Sequence, residues 1–448
     1  MIENKFYFVS LGCAKNTVDS ESMAKILHKA GYSGVTDPST AEFLIVNTCG
    51  FLQAARKEAV DILNDLSVNK QPGQYLIAAG CLTERYRQDI LKEIPQVDGI
   101  MSTRRWMDIL KVVKSLKKRK QNTPFSYFPE SPTVGKDEKG IGRFALQNPS
   151  AYLKIADGCR RSCAFCTIPS IKGPLVSRTK EKILHEAKIL QEIGIKEIIL
   201  VAQDTTDYGS DLGVKNGLAK LLKEITSVAP EIPWLRILYT YPGIITDELI
   251  NVMAEYEQVL PYIDIPLQHA SPTILKAMNR PSNLSSVKET LNRLREAMPE
   301  IALRSTFITG FPGESEQDFQ QLVEFIEEIQ FDRVGVFPYS FEPGAPGEHL
   351  GDPIPQKIKS ERVEQIMTLQ EKISLKINQS FIGKPIKVLV EGITQEGITF
   401  GRTYRDAPEI DGLVLIEKEV PVGEFAEIMI TGVMPHDLIG VRVNNNLS

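Results

Sequence analysis

The chain has 448 residues, is 42% hydrophobic and carries a formal net charge of −5. Its length predicts two or three domains with a large buried core. The small acidic charge argues against a protein that coats nucleic acid without specificity. No apolar run has the length of a signal peptide or of a bilayer-spanning helix, so we expect a cytoplasmic protein without membrane attachment.

Residues 1–122 are predicted to form an open parallel α/β sheet, because short apolar runs rich in β-forming residues alternate with helical patterns. We expect strands near 6–12, 43–48, 75–80 and 99–102, and helices near 18–27, 52–66 and 84–93. Each of the first three strands runs directly into a cysteine, namely Cys13, Cys49 and Cys81.

These three cysteines occupy equivalent positions in their strand–helix units. Ligand sites of open parallel sheets gather beyond the carboxyl ends of the strands, so cysteines 36 and 32 residues apart can meet there. Any one of them alone would be read as a buried structural cysteine, which is common. Their shared position favours a site with three thiolate ligands.

Residues 123–148 are rich in Pro and Gly and are predicted to form a linker or an extended crossing segment. Residues 149–379 resume the alternation, and six βα units are fewer than the eight of a closed barrel. We therefore expect an open partial (β/α)6 barrel, closed off by a helix near 355–379. Its strands are expected near 152–156, 197–201, 235–240, 262–267, 303–308 and 333–337.

Three further cysteines, Cys159, Cys163 and Cys166, follow the first barrel strand within eight residues, and no histidine is close. A structural zinc site needs four protein ligands, so three cysteines would leave it incomplete. Thiolates normally hold each of the four irons of a cubane cluster, so three thiolates leave one iron free to bind a reactive molecule. Cysteines of a reducing compartment are more often metal ligands than disulfides.

Polar side chains and glycines at the other strand ends are candidates for cofactor contact. Gln203 follows the second barrel strand, and Arg304 and Thr309 lie on the fifth. Gly310, at the end of that strand, would let the backbone approach a ligand closely. Polar residues at such turns can equally be helix caps, and His269 taken alone reads as a structural histidine.

Residues 380–448 change to short β-like runs and predict a small β-barrel. This segment carries six Lys/Arg against ten Asp/Glu, a net charge of −4. An acidic module repels phosphates and attracts a basic partner, although a solvated acidic surface can also have no partner. The basic run at 111–120 is the one feature that suggests RNA, and cations at a helix C-terminus explain it better.

With both triads placed, the chain resembles the radical S-adenosylmethionine (SAM) methylthiotransferases. The spacing Cys-x3-Cys-x2-Cys, with an aromatic residue before the last cysteine, resembles the signature of radical SAM enzymes. Within that family the chain is similar to the branch that modifies an aspartate of small-subunit ribosomal protein twelve, rather than adenosines of transfer RNA. The segments that carry this likeness are 11–21, 47–51, 158–170 and 407–412.

The resemblance implies two 4Fe-4S clusters, one on each triad, and a C-terminal TRAM barrel that binds the substrate. The open iron at Cys159, Cys163 and Cys166 would bind and cleave SAM, and the resulting radical would take hydrogen from the β-carbon of the aspartate. The other cluster would hold the sulfur that a second SAM methylates. Phe165 is expected near the adenine, or as apolar filler beside the cluster. The implied partners are the ribosomal protein, an electron-donating reductase and a sulfur donor, with no nucleic acid as direct substrate.

Two other interpretations stay open at this point. A transfer-RNA adenosine methylthiotransferase would share all of this chemistry. A non-enzymatic iron–sulfur or zinc scaffold that binds ribosomes would share the cysteines but not the cleavage of SAM.

Overall fold

The computed structural model describes residues 3–118, 123–129 and 138–443. Arg119 and Lys120, which end the basic run, and part of the predicted linker lie outside the described residues. Over the described ranges the chain forms the predicted α/β architecture, with an N-terminal parallel sheet, a partial barrel and a closed five-stranded barrel. None of the helices in these ranges is both long enough and apolar enough to cross a bilayer.

The N-terminal sheet has the strand order β2-β1-β3-β4-β5-β6, and all its pairings are parallel. The predicted strands and helices are all present, and β2 and β6 are added at the edges. The elements are β1 (Lys5–Ser10), α1 (Ala14–Lys29), β2 (Ser33–Gly34), β3 (Phe43–Thr48), α2 (Gln53–Val68), β4 (Tyr75–Gly80), α3 (Cys81–Glu93), β5 (Gly99–Met101), α4 (Ile109–Lys118) and β6 (Phe125–Tyr127).

The central strand β3 is buried on both faces, which explains its continuous apolar sequence. Phe43 and Ile45 point into a core shared with α1 and α4. Leu44 and Val46 point into a second core shared with α2 and α3. Because successive side chains of a strand face opposite ways, this one run connects two helical layers and fixes the register of the sheet.

The middle of the chain forms two parallel three-strand runs, β8-β11-β12 and β13-β14-β15, with β7 added antiparallel to β8. All six predicted barrel strands are present, and the two runs meet where Leu235 bridges Val259. The elements are β7 (Phe144–Gln147), β8 (Ser150–Lys154), β9 (Ala156–Asp157), α5 (Ile168–Lys172), β10 (Val176–Ser177), α6 (Lys180–Glu192), β11 (Glu197–Val201), α7 (Gly217–Val228), β12 (Trp234–Ile237), α8 (Asp247–Glu255), β13 (Tyr262–Asp264), α9 (Pro272–Ala277), α10 (Leu284–Ala297), β14 (Ala302–Thr309), α11 (Glu316–Ile329), β15 (Arg333–Pro338) and α12 (Gln356–Gln379).

The segment predicted as a linker carries two short strands. β6 extends the N-terminal sheet and β7 pairs with the first barrel strand, so this segment belongs partly to each neighbour. The sequence did not predict these two strands, because the Pro and Gly residues of the segment indicated a linker. Edge strands tolerate such residues.

The C-terminal barrel closes in the order β16-β17-β18-β20-β19. The predicted β-runs correspond to three of its strands, and β17 and β20 complete the closure. The strands are β16 (Pro385–Ile393), β17 (Thr399–Arg402), β18 (Val414–Ile416), β19 (Phe425–Val433) and β20 (Leu438–Arg442).

The partial barrel is filled in part by its neighbours. One apolar cluster joins Tyr152 and Ile199 of the barrel strands to Ala14 and Val18 of α1. Leu389 and Ala407 of the C-terminal barrel lie in the same cluster. The three regions therefore share one core, and α1 brings Cys13 to the barrel.

Candidate metal and cofactor site

The strand ends bring Cys13, Cys49 and Cys81 to one edge of the sheet. Strands β1, β3 and β4 are adjacent and parallel, so their carboxyl ends lie side by side. Cys13 is the N-cap residue of α1, Cys49 directly follows β3, and Cys81 opens α3. The predicted convergence of the three chain segments is present in the fold.

Two glycines make the approach of these segments close. Gly12 has a φ of +91°, and a Cβ placed on it would lie 3.0 Å from the Sγ atom of Cys49. A Cβ on Gly50 would lie 2.5 Å from the Cα atom of Leu82, the neighbour of Cys81. Only glycine fits at such contacts, so the loops that carry the three thiols press against each other.

The second triad lies on the loop between β9 and α5, at the barrel mouth. Each of its sulfurs receives one N–H donor. The backbone of Arg161 donates to Cys159 at 3.4 Å, and that of Ile168 donates to Cys166 at 3.5 Å. The guanidinium of Arg280 donates to Cys163 at 3.8 Å. Donors aimed at sulfur favour the thiolate form, which is the form that binds metal.

Without metal, most of these thiols hold their protons at neutral pH. Burial, with a smaller contribution from the neighbouring thiols of the same triad, raises the pKa of Cys159 to about 11 and that of Cys166 to about 12. Burial likewise raises the pKa of Cys81 to about 12. Metal binding must therefore displace protons from the triads.

Lysines surround the first triad. Desolvation opposes the thiolate of Cys13, but the ammonium groups of Lys15 and Lys172 and two backbone N–H groups lower its pKa below the ordinary value. Lys172 also lowers the pKa of Cys81 against the effect of burial. Lys172 ends α5, the helix that directly follows the second triad. Lys172, from the helix next to the second triad, therefore stabilises the thiolates of the first triad.

A buried ion network holds this junction. Asp19 of α1 pairs with Arg143 at 2.5 Å, Lys154 at 2.7 Å and Lys172 at 2.8 Å. Asp157 pairs with Arg143 at 3.2 Å and also with Lys154. Three cations thus face two carboxylates, so a net positive charge lies behind the first triad, where it favours bound anions.

A second bridge joins the triads through the loop after β15. Glu342 pairs with Arg85 at 2.9 Å and with Arg56 at 3.0 Å, both on helices of the N-terminal sheet. Arg85 also donates to the carbonyl of Gly50 at 2.8 Å, beside Cys49. Further along the same loop, the N–H of Gly347 donates to the carbonyl of Ala164 at 2.8 Å, between Cys163 and Cys166.

The donor set fits iron–sulfur clusters. All six cysteines are free thiols, and Cys13, Cys49, Cys81, Cys159 and Cys166 are accessible to solvent at least in part. Among the described residues, no three His, Cys, Asp or Glu side chains stand close enough together to hold a single metal ion. A cubane cluster does not require this, because each of its thiolates binds a different iron. Three thiolates and no histidine per site suit such a cluster better than zinc.

The predicted cofactor contacts fall into two groups. Phe165 packs at the edge of a small apolar cluster around Phe311 and Tyr339, beside the second triad. Gln203 has a buried side-chain oxygen without a hydrogen-bond partner. Both are placed to contact a bound molecule, and this role stays a prediction.

The other three candidates have contacts within the protein. Arg304 pairs with Asp264 at 2.8 Å and with Asp411 of the C-terminal barrel at 3.2 Å. Thr309 donates to the carbonyl of Lys359 at 3.3 Å, and a Cβ on Gly310 would collide with the Lys359 side chain. All three residues therefore have a structural role, and any contact with the cofactor stays a prediction.

Contacts between cations and aromatic rings connect the two sites, and the sequence did not predict these contacts. Tyr241 lies between two guanidinium groups, with Arg161 and Arg280 each 4.2 Å from its ring centroid. Tyr239, two residues earlier, lies 3.1 Å below the ammonium of Lys15. The sequence held one local sign that Lys15 is unusual, because a lysine in the first turn of a helix is destabilised by the helix dipole. Arg280 had none, because it meets Cys163 from 117 residues away.

Three family models match successive parts of the chain. Residues 5–102 match an uncharacterized protein family, UPF0004. Residues 153–326 match the radical SAM superfamily, and residues 382–443 match the TRAM domain.

Relatives match over nearly the whole chain. A protein of Roseiflexus sp. (strain RS-1) named ribosomal protein uS12 methylthiotransferase RimO is 45% identical, covering 98% of this chain and 97% of the relative. A protein of Thermoanaerobacter sp. (strain X514) with the same name is 42% identical, covering 96% and 98%.

Solved structures share the fold at low identity. The radical SAM methyltransferase TsrM from Kitasatospora setae, with tryptophan and a SAM analogue bound, has a TM-score of 0.57 at 13% identity, covering 77% of this chain and 75% of that one. The cobalamin-dependent SAM radical enzyme OxsB, with aqua-cobalamin and SAM bound, has a TM-score of 0.52 at 14% identity, covering 81% and 56%.

Proposed function

Because the chain belongs to the RimO family of radical SAM methylthiotransferases, we propose that it adds a methylthio group to the β-carbon of an aspartate of ribosomal protein uS12. The observation that carries this proposal is the pairing of two three-cysteine sites across one junction. Lys172 follows the second triad and stabilises thiolates of the first. A radical SAM enzyme without sulfur insertion needs only one of the two sites.

We assign one 4Fe-4S cluster to each triad, with Cys13, Cys49 and Cys81 holding one and Cys159, Cys163 and Cys166 the other. When bound, such clusters supply an open iron and an electron for SAM cleavage at the second triad and an iron that carries sulfur at the first. The protein orients and shields these groups. Arg161 and Arg280 both contact the ring of Tyr241 and hold it near Cys163, and we assign Phe165 and Gln203 to contact with SAM.

An aspartate β-carbon carries no acidic hydrogen at neutral pH, so a general base offers no easy route and a radical route is chemically apt. His269, which follows the fourth barrel strand, is buried against the N–H of Ser271 and the carboxylate of Glu314. The reaction also requires an electron-donating reductase and a sulfur donor, which we include in the proposal as partners.

The C-terminal barrel suits a basic protein as its partner. Arg402, Arg405, Asp406 and Asp411 are turned inward and paired, two cations against two anions. Without these four residues and Glu391, which also pairs with Arg402, the barrel still carries seven Asp/Glu against four Lys/Arg, an acidic excess on the rest of its surface. Such a surface attracts a basic ribosomal protein and repels RNA phosphates.

We propose the domain limits 1–122, 123–148 as the connection, 149–379 and 380–448. The connection contributes β6 to the first domain and β7 to the second, which supports a junction with little freedom of movement.

The proposal is tested with the anaerobically reconstituted protein, recombinant uS12 and unmodified transfer RNA, read by mass spectrometry. We expect a methylthio group on an aspartate of uS12 and none on RNA. Addition to RNA alone would reject the substrate, and no addition with intact SAM cleavage would reject sulfur insertion.

Iron and sulfide analysis tests the two-cluster assignment separately. We expect each triple Cys→Ala variant, one per triad, to lose half of the iron and sulfide of the wild type. Zinc in place of iron, or full iron content in the variant of the first triad, would contradict it.

A further inference from the structure

Lys15 is a cation beside the first triad that has no carboxylate partner. Its ammonium lies 3.1 Å from the ring centroid of Tyr239. Within the described ranges, no carboxylate oxygen lies within 4.0 Å of the Lys15 Nζ atom, the longest distance for an ion pair. The side chain is half-buried, so solvent compensates its charge only in part.

Apart from the thiols of the first triad, whose thiolates Lys15 stabilises, the charged group that acts most on Lys15 is Asp264, and it is already paired. Asp264 accepts from Arg304 at 2.8 Å and from the N–H of Tyr239 at 3.1 Å. Arg304 is shared between Asp264 and Asp411. Arg304 therefore has two carboxylates and Lys15 has none, so Lys15 is the cation that remains available to an incoming anion.

The position of Lys15 in its helix is unfavourable without such an anion. It occupies the first turn of α1, which contains no acidic residue. The positive end of the helix dipole repels a cation there and attracts an anion. A bound carboxylate would be stabilised by both the ammonium and the helix end.

A chain of contacts connects Lys15 to the loop of the second triad. The ammonium of Lys15 lies over the ring of Tyr239, and the guanidinium of Arg280 lies over the ring of Tyr241. The same guanidinium donates to the sulfur of Cys163. Two residues span at most about 7 Å of chain. A group bound at Lys15 is therefore close to Cys13, two residues away in the sequence, and the segment from Tyr239 to Tyr241 links it to the loop of Cys163.

We infer that Lys15 binds the side-chain carboxylate of the substrate aspartate and thereby places its β-carbon between the two cysteine triads. This inference rests on the proposed function. The β-carbon is one bond from the carboxyl carbon, so a fixed carboxylate fixes the reacting atom. Lys15 is then a specificity residue, because an adenosine base offers no carboxylate to it.

The test measures binding of uS12 and of uS12 with its target aspartate changed to asparagine, using anaerobically reconstituted protein. Wild type should bind the aspartate form about 10- to 100-fold more tightly, as hydrogen bonds to charged groups do. Lys15→Met should bind both forms with nearly equal affinity while keeping SAM cleavage, which depends on the second triad. Its iron content is compared with that of Lys15→Arg, because Lys15 also stabilises the Cys13 thiolate. Lys15→Arg should restore a preference for aspartate.

Lys25→Met is the matched control. Lys25 lies on the same helix, 3.6 Å from the ring centroid of Phe144, but far from the cysteines. It should leave the preference for aspartate unchanged.

An undiminished preference in Lys15→Met would overturn the inference while leaving the proposed function intact. Loss of iron together with the preference in this variant would also overturn it, because Lys15 would then act on the first cluster. A wild type that prefers the aspartate form but never methylthiolates it would reject the proposed reaction and keep the assignment of Lys15.

Discussion

Cys159, Cys163 and Cys166 lie within eight residues on one loop, whereas Cys13, Cys49 and Cys81 come from the ends of three strands. The first arrangement needs one well-placed loop, and its sulfurs receive two of their donors from the backbone of that loop. The second needs three strands in register, two glycines at their contacts and cations from other parts of the chain. The strand-end site should therefore be more sensitive to changes in packing than the loop site.

The largest expected effect comes from the loop site, because both halves of the reaction depend on it. Cys163→Ala removes one of three proposed ligands and leaves Arg280 without its sulfur acceptor. SAM cleavage and methylthio transfer should both fall by more than the about 100-fold typical of losing a supporting contact. The measurement is the yield of 5′-deoxyadenosine and of modified uS12. Normal cleavage by this variant would contradict the assignment.

Cys49→Ala separates the two sites. It should abolish methylthio transfer but leave SAM cleavage within about twofold of wild type, as expected for independent sites. The same two products are measured, and Cys163→Ala serves as the comparison. Full methylthiolation of uS12 by Cys49→Ala would show that the strand-end cysteines are structural.

Asp19→Asn tests the junction between the sites. Burial opposes its charge, but Lys154, Lys172 and Arg143 hold the pKa of Asp19 well below the ordinary value. Removing one partner of a buried ion cluster costs about 3–5 kcal/mol, so the thermal midpoint should fall.

The stabilisation from Asp19 is complete above the unfolded pKa of about 3.9 and is lost as the pH falls below it. Wild type should lose more stability than Asp19→Asn as the pH falls below about 4, and the loss should continue toward the much lower pKa of Asp19 in the folded protein. Denaturant unfolding at several pH values measures this. Equal slopes for both proteins would contradict the role of Asp19.

The smallest effect compares one glycine at each site. Gly12 and Gly173 both have positive φ, but a Cβ on Gly12 would lie 2.8 Å from the Cβ atom of Cys49, and one on Gly173 would meet nothing within 4 Å. Both alanine variants carry about 1–2 kcal/mol of backbone strain. Gly12→Ala adds about 1–3 kcal/mol of overpacking and should lower iron at the strand-end site. Equal unfolding free energies and iron contents of the two variants would remove the claim that this site is the more sensitive one.

Much of the fold followed from periodicity. The six predicted barrel strands and the predicted sheet strands β1, β3, β4 and β5 are present, and β3 and β11 are largely apolar runs because both of their faces are buried. Strands β2, β6, β7, β10, β17 and β20 were not predicted, because they are short or lie among Gly and Pro residues and are held by neighbouring strands rather than by their own sequence.

The sequence by itself determined the chemistry of this protein, because cysteine spacing and the position of each cysteine after a strand are properties of the chain. Only the tertiary structure decided what surrounds the thiols. Lys172 beside Cys81, Arg280 on Cys163 and Tyr239 under Lys15 join segments that lie far apart in sequence. Local patterns do not encode such contacts, since they arise from the packing of whole elements around a shared core.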